Sequence, residues 1–396
     1  MPSVMSTKDV NDRRLSFLSE TQKVWLAKAQ AFADRIPLED AIKSDTSNVF
    51  RRDLFEAACK EGMGALPFPA TYGGQGADYL SFVLVNEEFG RRCVPIMSSL
   101  GVHVLCQEPV YRFGTDEQKA KYLPPSSSGK YLAAFGLTEP GAGSDTAALA
   151  CTARLKDNEY ILNGTKVFIT SGASSDYFIV MARLLDAPEG LSNEKSITAF
   201  IVEKNYPGFK IGQKFDMLGM RGYSTCELVF DDCRVPKENL LGAHGQGRKV
   251  ALSSLAKGRV TIAAQSTGWA QGALDALCRL LKEGHSKQGI SEKHSERMLA
   301  QLGEMAVLVE SARVLTYQAA AAIDRGNNDV VLASMAKMHA SDIAMKISTE
   351  AMTLAGLTGS KPEYLLERIF RDAKAGQIYE GANQIQRMLI ARELLK

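Results

Sequence analysis

The chain has 396 residues, 45% of them hydrophobic and 23% charged, a balance that excludes disordered and fibrous architectures. That length exceeds one average core, so two or three packed subdomains are expected rather than a small binding module. Lys and Arg total 47 against 45 Asp and Glu, a formal charge of +2, which lacks the basic excess that binding a phosphate backbone needs and argues against a nucleic-acid partner.

The opening residues MPSVMSTKDVNDRRLSF are polar and mixed in charge, unlike a secretory signal or an acid-poor transit peptide. No apolar run approaches the roughly 18 residues of a membrane span. Seven cysteines are scattered without a C-x-x-C pair or a His cluster at ligand spacing. No metal is expected, and reduced thiols in a cytoplasmic or matrix-like compartment are.

From about Leu15 to Gly114 the spacing predicts helices: ETQKVWLAKAQAFADRI and DYLSFVLVNEEFGRR carry apolar residues three and four apart, separated by the Pro/Gly loop PFPATYGGQGA. HVLCQEPVYRFG and GTDEQKAKYLPP continue the pattern, and no strand alternation precedes about residue 131. Then ALACTARLKDNEYILNGTKVFITSG, DYFIVMARL, SITAFIVEK, FKIGQKF and CELVFDDCRV read as short strands with no helix between them, and Asn163-Gly164 is a hairpin signal. They predict a small antiparallel barrel or sandwich. From about Gly247 long helical patterns return and run to the C-terminus. The expected domains are an all-α 1–130, a β domain 131–245 and an all-α 246–396.

GAGSD, at Gly141 to Asp145, lacks the G-x-G-x-x-G form, and no phosphate-loop motif is present, which disfavours the usual nucleotide folds. FGLTEPGAGSD, Phe135 to Asp145, sets the hydroxyls of Thr138 and Ser144 on a Gly-rich loop whose N–H groups can face an anion or a polar ring edge. NGTKVFITSG (Asn163 to Gly172), KFDMLGMRGYSTCELVFDDCRVPKENLLG (Lys214 to Gly242) and RDAKAGQIYEGANQIQRMLIARELL (Arg371 to Leu395) follow in order.

Together these motifs resemble the acyl-CoA dehydrogenase family over nearly the whole chain. The resemblance implies an α+β fold: an N-terminal helical bundle, a middle β-barrel and a C-terminal four-helix bundle around a non-covalent FAD. It also implies oxidation of an acyl thioester to its α,β-enoyl form. Glu380 becomes the base that takes the α-proton while the β-hydrogen leaves as hydride for flavin N5, two paths aligned on one C–C bond. The resemblance further implies that the thioester oxygen is polarised by the backbone N–H of Glu380 and a ribityl hydroxyl. The expected cofactor residues are Phe135, Leu137, Thr138, Gly143, Ser144, Phe168, Ile169, Thr170, His285, Gln288, Thr353, Gly356, Ala382 and Gln384. The substrate residues are Ser144, Leu255, Arg259 and Gly381, with Arg259 meeting the acyl carrier.

The sequence departs from the family pattern at several of these positions. HSKQG puts His285 and Gln288 where an Arg and a Phe are usual, TLAGLTG has Thr353 for Gln and Leu357 for Gly, and Ala382 replaces Thr. Ala256 replaces an Asp three residues before Arg259. Three readings follow. The first is a dehydrogenase passing electrons to an electron-transfer flavoprotein. The second is an oxidase of the same fold using dioxygen and a carrier-protein thioester, met by Arg221, Lys237, Arg248 and Lys257. The third is a non-catalytic flavin-binding member. A homotetramer or homodimer is implied, because the family shares its cofactor site between subunits.

Overall fold

The computed structural model describes residues 13–185, 196–283 and 295–396. Helices fill the first part: α1 (Glu20–Asp34), α2 (Leu38–Ser47), α3 (Arg52–Lys60), α4 (Tyr79–Arg91), α5 (Met97–Phe113) and α6 (Asp116–Ser127). Their starts are chemically marked. Ser19 with Gln22 and Thr115 with Gln118 form capping boxes at α1 and α6, and Asp78 caps α4, each satisfying N–H groups that the first helical turn leaves orphaned. Pro109 lies inside α5, so the helix runs through a residue that ordinarily interrupts one.

Strands follow: β1 (Ala133–Gly136), β2 (Thr152–Lys156), β3 (Glu159–Ile169), β4 (Tyr177–Leu184), β5 (Ile197–Glu203), β6 (Phe209–Lys214), β7 (Cys226–Pro236) and β8 (Leu240–Leu241). They form one sheet in the order β6-β7-β3-β2-β4-β5-β8, with β1 beside β4. The expected β-barrel is therefore corrected: the sheet is open, ending at β6 on one side and at the two-residue β8 on the other. Closure needs continuous pairing around the ring, and β8 is too short to extend the ladder to β6. Helices cover one face instead. Tyr177, Ile179 and Met181 of β4 join Cys106, Val110, Tyr122 and Val250 in one core, while Phe178, Val180 and Ala182 point into the curl of the sheet with Phe200, Phe209 and Phe230.

Two further sequence expectations are corrected. The strands are not all antiparallel, since β1 and β2 each pair parallel with β4. Asn163-Gly164 is not a hairpin turn either; the β2–β3 turn is at Asp157-Asn158, after the Lys156–Glu159 pair. Asn163 and Gly164 instead sit at a register shift where β3 pairs with β7. There Asn163 exchanges hydrogen bonds with Asp232 (3.0 and 2.8 Å), and Gly164 adopts φ +140°, where an added Cβ would lie 2.8 Å from the Cys151 Cα.

Helices α7 (Gly247–Lys282), α8 (Glu296–Asp324), α9 (Val330–Ala355), α10 (Leu366–Gly376) and α11 (Asn383–Leu394) complete the chain. α7 packs along α4, α5 and α9 and reaches β5, so one helix touches all three parts of the molecule. A buried ion network ties the first part to the last: Glu87 of α4 accepts from Arg313 (2.9 Å), the Tyr317 hydroxyl (2.6 Å) and Arg14 (3.4 Å). Among the described residues no helix is long and apolar enough to cross a membrane. All seven cysteines are free.

Candidate active site

Two surfaces meet near α7. The first is the loop that leaves β1. Phe135, Leu137 and Thr138 are half-buried, while Gly143 and Ser144 are exposed. The loop is pinned from below. Val167 N–H donates to the Thr138 carbonyl (2.9 Å), and the buried Lys166 ammonium reaches the Leu137 carbonyl (3.2 Å) and the Glu139 carboxylate (2.6 Å). Glu139 also accepts the N–H groups of Ala150 and Cys151 at the entry to β2. A buried charge without a partner is expensive; here both charges are paired, and the pair fixes the loop.

Beside it, Phe168 adopts φ +58°, a left-handed conformation that costs a non-glycine residue about 1–2 kcal/mol. The turn leaves its ring 56% exposed, stacked on Phe215 at 4.7 Å. Ile169 is buried and pairs with Cys226, and Thr170 is half-buried. The hydroxyls of Thr138, Ser144 and Thr170 meet no partner among the described residues.

The second surface is the turn between α10 and α11. Glu380 and Gly381 are both left-handed, at φ 56° and 96°. Asn383 N–H closes the turn on the Gln377 carbonyl (3.0 Å). Glu380 faces a cavity lined by Gly101, Val102 and Leu105 of α5 and by Gly258, Thr261, Ile262 and Gln265 of α7. The residue is only partly shielded as a whole, yet its Oε2 is sealed from water and has no hydrogen-bond partner. Desolvation raises its carboxyl to about 7, outweighing the pull of the Arg259 and Lys337 cations. Its backbone N–H also meets no acceptor among the described residues.

Gly258 makes room for this carboxylate. A Cβ there would lie 2.8 Å from Glu380 Oε2 and 2.9 Å from Leu105 Cδ1, both side-chain ends, so the Glu380 carboxylate itself is among the groups that would have to shift. With Glu380 in the role that the resemblance implies, Gly258→Ala is expected to lower kcat by about 100-fold, because displacing a reacting group by about 1 Å costs that much, while cofactor absorbance stays at the wild-type level; a kinetic comparison of the two holoproteins checks it.

Arg259 lies well inside α7 and is 7% exposed. One of its nitrogens donates to Ser334 Oγ (3.2 Å), while its Nε is buried without a partner. Burial lowers its guanidinium, an effect that Glu380 offsets. Leu255 shares a groove with Leu137, Leu149 and Ala251, so it joins the β1 loop to α7. Ala256 is buried. Of the basic residues considered for a carrier, Lys257 is already paired with Glu108 (2.8 Å) and Arg221 with Asp216 (2.6 Å).

The structure does not gather the remaining candidates here. Thr353 is exposed at the far end of α9, about 24 Å along the helix from Lys337 at 1.5 Å per residue, and Gly356 is exposed just past that end. Gln384 is exposed on α11 and Ala382 is half-buried beside Gly381. His285 and Gln288 lie outside the described residues. Sequence reasoning missed Gly258, Gln265 and Lys337. Lys337 had a signal, because it interrupts an otherwise small-residue stripe of Ala333, Ala336, Ala340 and Ala344.

Each of the three parts of the chain matches a known domain family. Residues 19–130, 134–233 and 245–395 match the models for the N-terminal, middle and C-terminal domains of acyl-CoA dehydrogenase. An acyl-CoA dehydrogenase of Bacillus subtilis is 42% identical over 89% of this chain and 92% of that relative. A chain from a solved structure described as the electron transferring flavoprotein of Acidaminococcus fermentans superposes with a TM-score of 0.91 at 40% identity, covering 96% and 99% of the two chains. Butyryl-CoA dehydrogenase from Megasphaera elsdenii gives 0.89 at 37% identity over the same shares. The chain belongs to the acyl-CoA dehydrogenase family. It is thus an oxidoreductase that converts an acyl-CoA thioester to the 2-enoyl product with FAD. The residues suit such a cofactor: an exposed aromatic ring next to the Thr138 loop, with unpartnered hydroxyls at Thr138 and Thr170, offers a flat face and a polar edge for a planar ring system.

Proposed function

We propose that the chain oxidises a short acyl-CoA thioester, with Glu380 as the base. The observation that carries this reading is the sealed, unpartnered Oε2 of Glu380, poised at about 7 and aimed into an apolar cavity. A general base works best near the operating pH, and burial supplies that tuning. Glu380 Oε2 takes the α-proton, and the free Glu380 N–H donates to the thioester oxygen so that negative charge developing there is stabilised. Bound FAD supplies the acceptor for the β-hydrogen and its electron pair. Phe135, Leu137, Thr138, Gly143, Ser144, Phe168, Ile169 and Thr170 hold its ring, and Ser144, Leu255, Arg259 and Gly381 border the substrate. Thr353, Gly356, Ala382 and Gln384, with His285 and Gln288, are assigned to a cofactor shared with a second copy of the chain. Electrons pass on to an electron-transfer flavoprotein.

The short chain follows from Gln265. Its Nε2 donates to Asn86 Oδ1 (3.0 Å) and its Oε1 accepts from the Tyr379 hydroxyl (3.1 Å), a bridge across the cavity floor. A Cβ on Gly101 would lie 2.7 Å from that Nε2, so the floor is packed. Butyryl-CoA is expected to bleach the flavin anaerobically, and octanoyl-CoA to do so far more slowly. If only a carrier-protein thioester reduces the flavin, the CoA reading fails; if electrons then pass to dioxygen as fast as to the flavoprotein, the protein is an oxidase. Gln265→Ala opens the floor and is expected to raise the octanoyl-to-butyryl ratio of kcat/KM by about 10-fold or more, since each accommodated methylene is worth about 1–3 kcal/mol.

A further inference from the structure

Lys337 is fully buried on α9, and among the described residues no carboxylate forms an ion pair with it. A buried ammonium must be compensated, and here the compensation comes from the turn that carries Glu380. Its Nζ donates to the Gly381 carbonyl and to Asn383 Oδ1, both at 2.8 Å. Asn383 is itself held: its amide donates to Ser341 Oγ (2.9 Å) and Asp342 Oδ1 (2.8 Å), again from α9. Gln386 Nε2 donates to the same Gly381 carbonyl from the other side at 2.9 Å.

The turn needs holding. Glu380 is a non-glycine residue in left-handed backbone, a conformation that persists only where its surroundings enforce it. The α11 start has no side-chain cap, so the enforcement comes from contacts across to α9. The carboxylate meanwhile has no hydrogen-bond donor of its own at Oε2. Facing it are Tyr79 of α4, Cys106 of α5, Arg259 of α7, Lys337 of α9 and the neighbouring Tyr379. Burial pushes the Tyr and Cys groups up, so they stay neutral. The cations are Arg259 and Lys337, and Lys337, drawn down by burial to about 8, is still largely charged at neutral pH.

We propose that Lys337 is the positioning residue of the base: its ammonium clamps the Gly381 carbonyl, fixes the Glu380 carboxylate and N–H toward the cavity, and shares with Arg259 the positive charge that faces the carboxylate. This deepens the reading of Glu380 as the base and rests on it.

The test uses the flavin-loaded protein with Lys337→Met, Lys337→Arg and, as reference, Glu380→Gln. Flavin content, the pH profile of kcat/KM and a 13C carboxyl titration of Glu380 without substrate are read, the Glu380 signal being the one missing from Glu380→Gln. Removing the cation disfavours the carboxylate, so Lys337→Met is expected to move the titration midpoint and the acidic limb upward by about one pH unit. Its kcat should fall about 10- to 100-fold with KM nearly unchanged, flavin remaining bound. Lys337→Arg should return the midpoint toward wild type. A Lys337→Met protein with the wild-type midpoint and kcat overturns the proposal. If Lys337→Met does not fold, Lys337→Gln keeps a donor and removes the charge; the same upward midpoint supports the proposal and an unchanged one overturns it. Retained turnover in Glu380→Gln would instead sink the assignment of the base, while the carboxyl titration still decides the role of Lys337.

Discussion

Glu380→Gln is expected to lower turnover of a short acyl thioester by about four orders of magnitude, at the upper end of what a positioned base contributes, while making the protein more stable above pH 7. The first effect follows because the amide cannot accept the α-proton, although it nearly preserves shape and leaves the backbone N–H in place. The second follows from the carboxyl, whose folded-state value of about 7 lies above its ordinary 4.5. The folded protein therefore binds this proton more tightly than the unfolded chain does. The resulting stabilisation is complete below about pH 4.5 and is lost as pH rises through about 7. At pH 8 an unpaired carboxylate sits in a sealed site, at a cost of about 3 kcal/mol at most. Glutamine carries no such charge. Thermal unfolding of both proteins at equal flavin saturation should give coincident midpoints near pH 5 and a higher midpoint for Glu380→Gln near pH 8. Coincident midpoints at both pH values would remove the burial argument, and turnover within about tenfold of wild type would remove the base.

The helical, strand, helical order was legible because hydrophobic period changes along the chain, and the positions of the main strands were legible from β-branched and aromatic runs. Closure of the sheet was not. Whether a sheet closes depends on which strands meet at its edges, and the two-residue β8 and the short β1 carry too little pattern to be seen. Parallel pairing onto β4 was hidden for a related reason: β4 is apolar on both faces, so it shows no alternation from which an orientation could be argued. Asn163-Gly164 misled because its partner is Asp232, 69 residues away, and the pair makes a register shift instead of a turn.

The site was legible in the same uneven way. Glu380 entered through the resemblance of its surrounding motif, and the fold then supplied the physical reason for its character: a cavity between α5 and α7 that desolvates it. Gly258 looked like one glycine among 33, because its meaning lies in a contact with a residue 122 positions later. Lys337 and Lys166 share a different signature. Each is a lysine on an otherwise buried face, and each holds a functional loop by donating to its carbonyl, Lys337 to Gly381 and Lys166 to Leu137. At these two positions a buried charge holds a loop in one conformation, a use of polar networks that an apolar core cannot replace.

Lys166→Met is expected to be the most damaging change to the flavin platform. Lys166 is fully buried and its only carboxylate partner among the described residues is Glu139, itself 5% exposed. Removing the ammonium leaves the Glu139 carboxylate with two backbone donors, Ala150 and Cys151, and no counter-charge, a loss that costs about 3–5 kcal/mol when one partner of a buried pair is deleted. It also frees the Leu137 carbonyl, so the loop from Leu137 to Ser144 keeps only the Val167–Thr138 hydrogen bond of the two that pin its backbone. Lower stability in denaturant and a reduced flavin-to-protein ratio should therefore appear together. Glu139→Gln combined with Lys166→Met removes the stranded charge while keeping an acceptor for the β2 entry, and should recover part of the stability, with an interaction energy of about 1–3 kcal/mol in the double-mutant cycle. Recovery of stability without recovery of flavin binding is the expected outcome, because the neutral pair restores the core but not the donor to the Leu137 carbonyl. A Lys166→Met protein that keeps both wild-type stability and full flavin content would show that the loop is held by the Val167–Thr138 hydrogen bond alone.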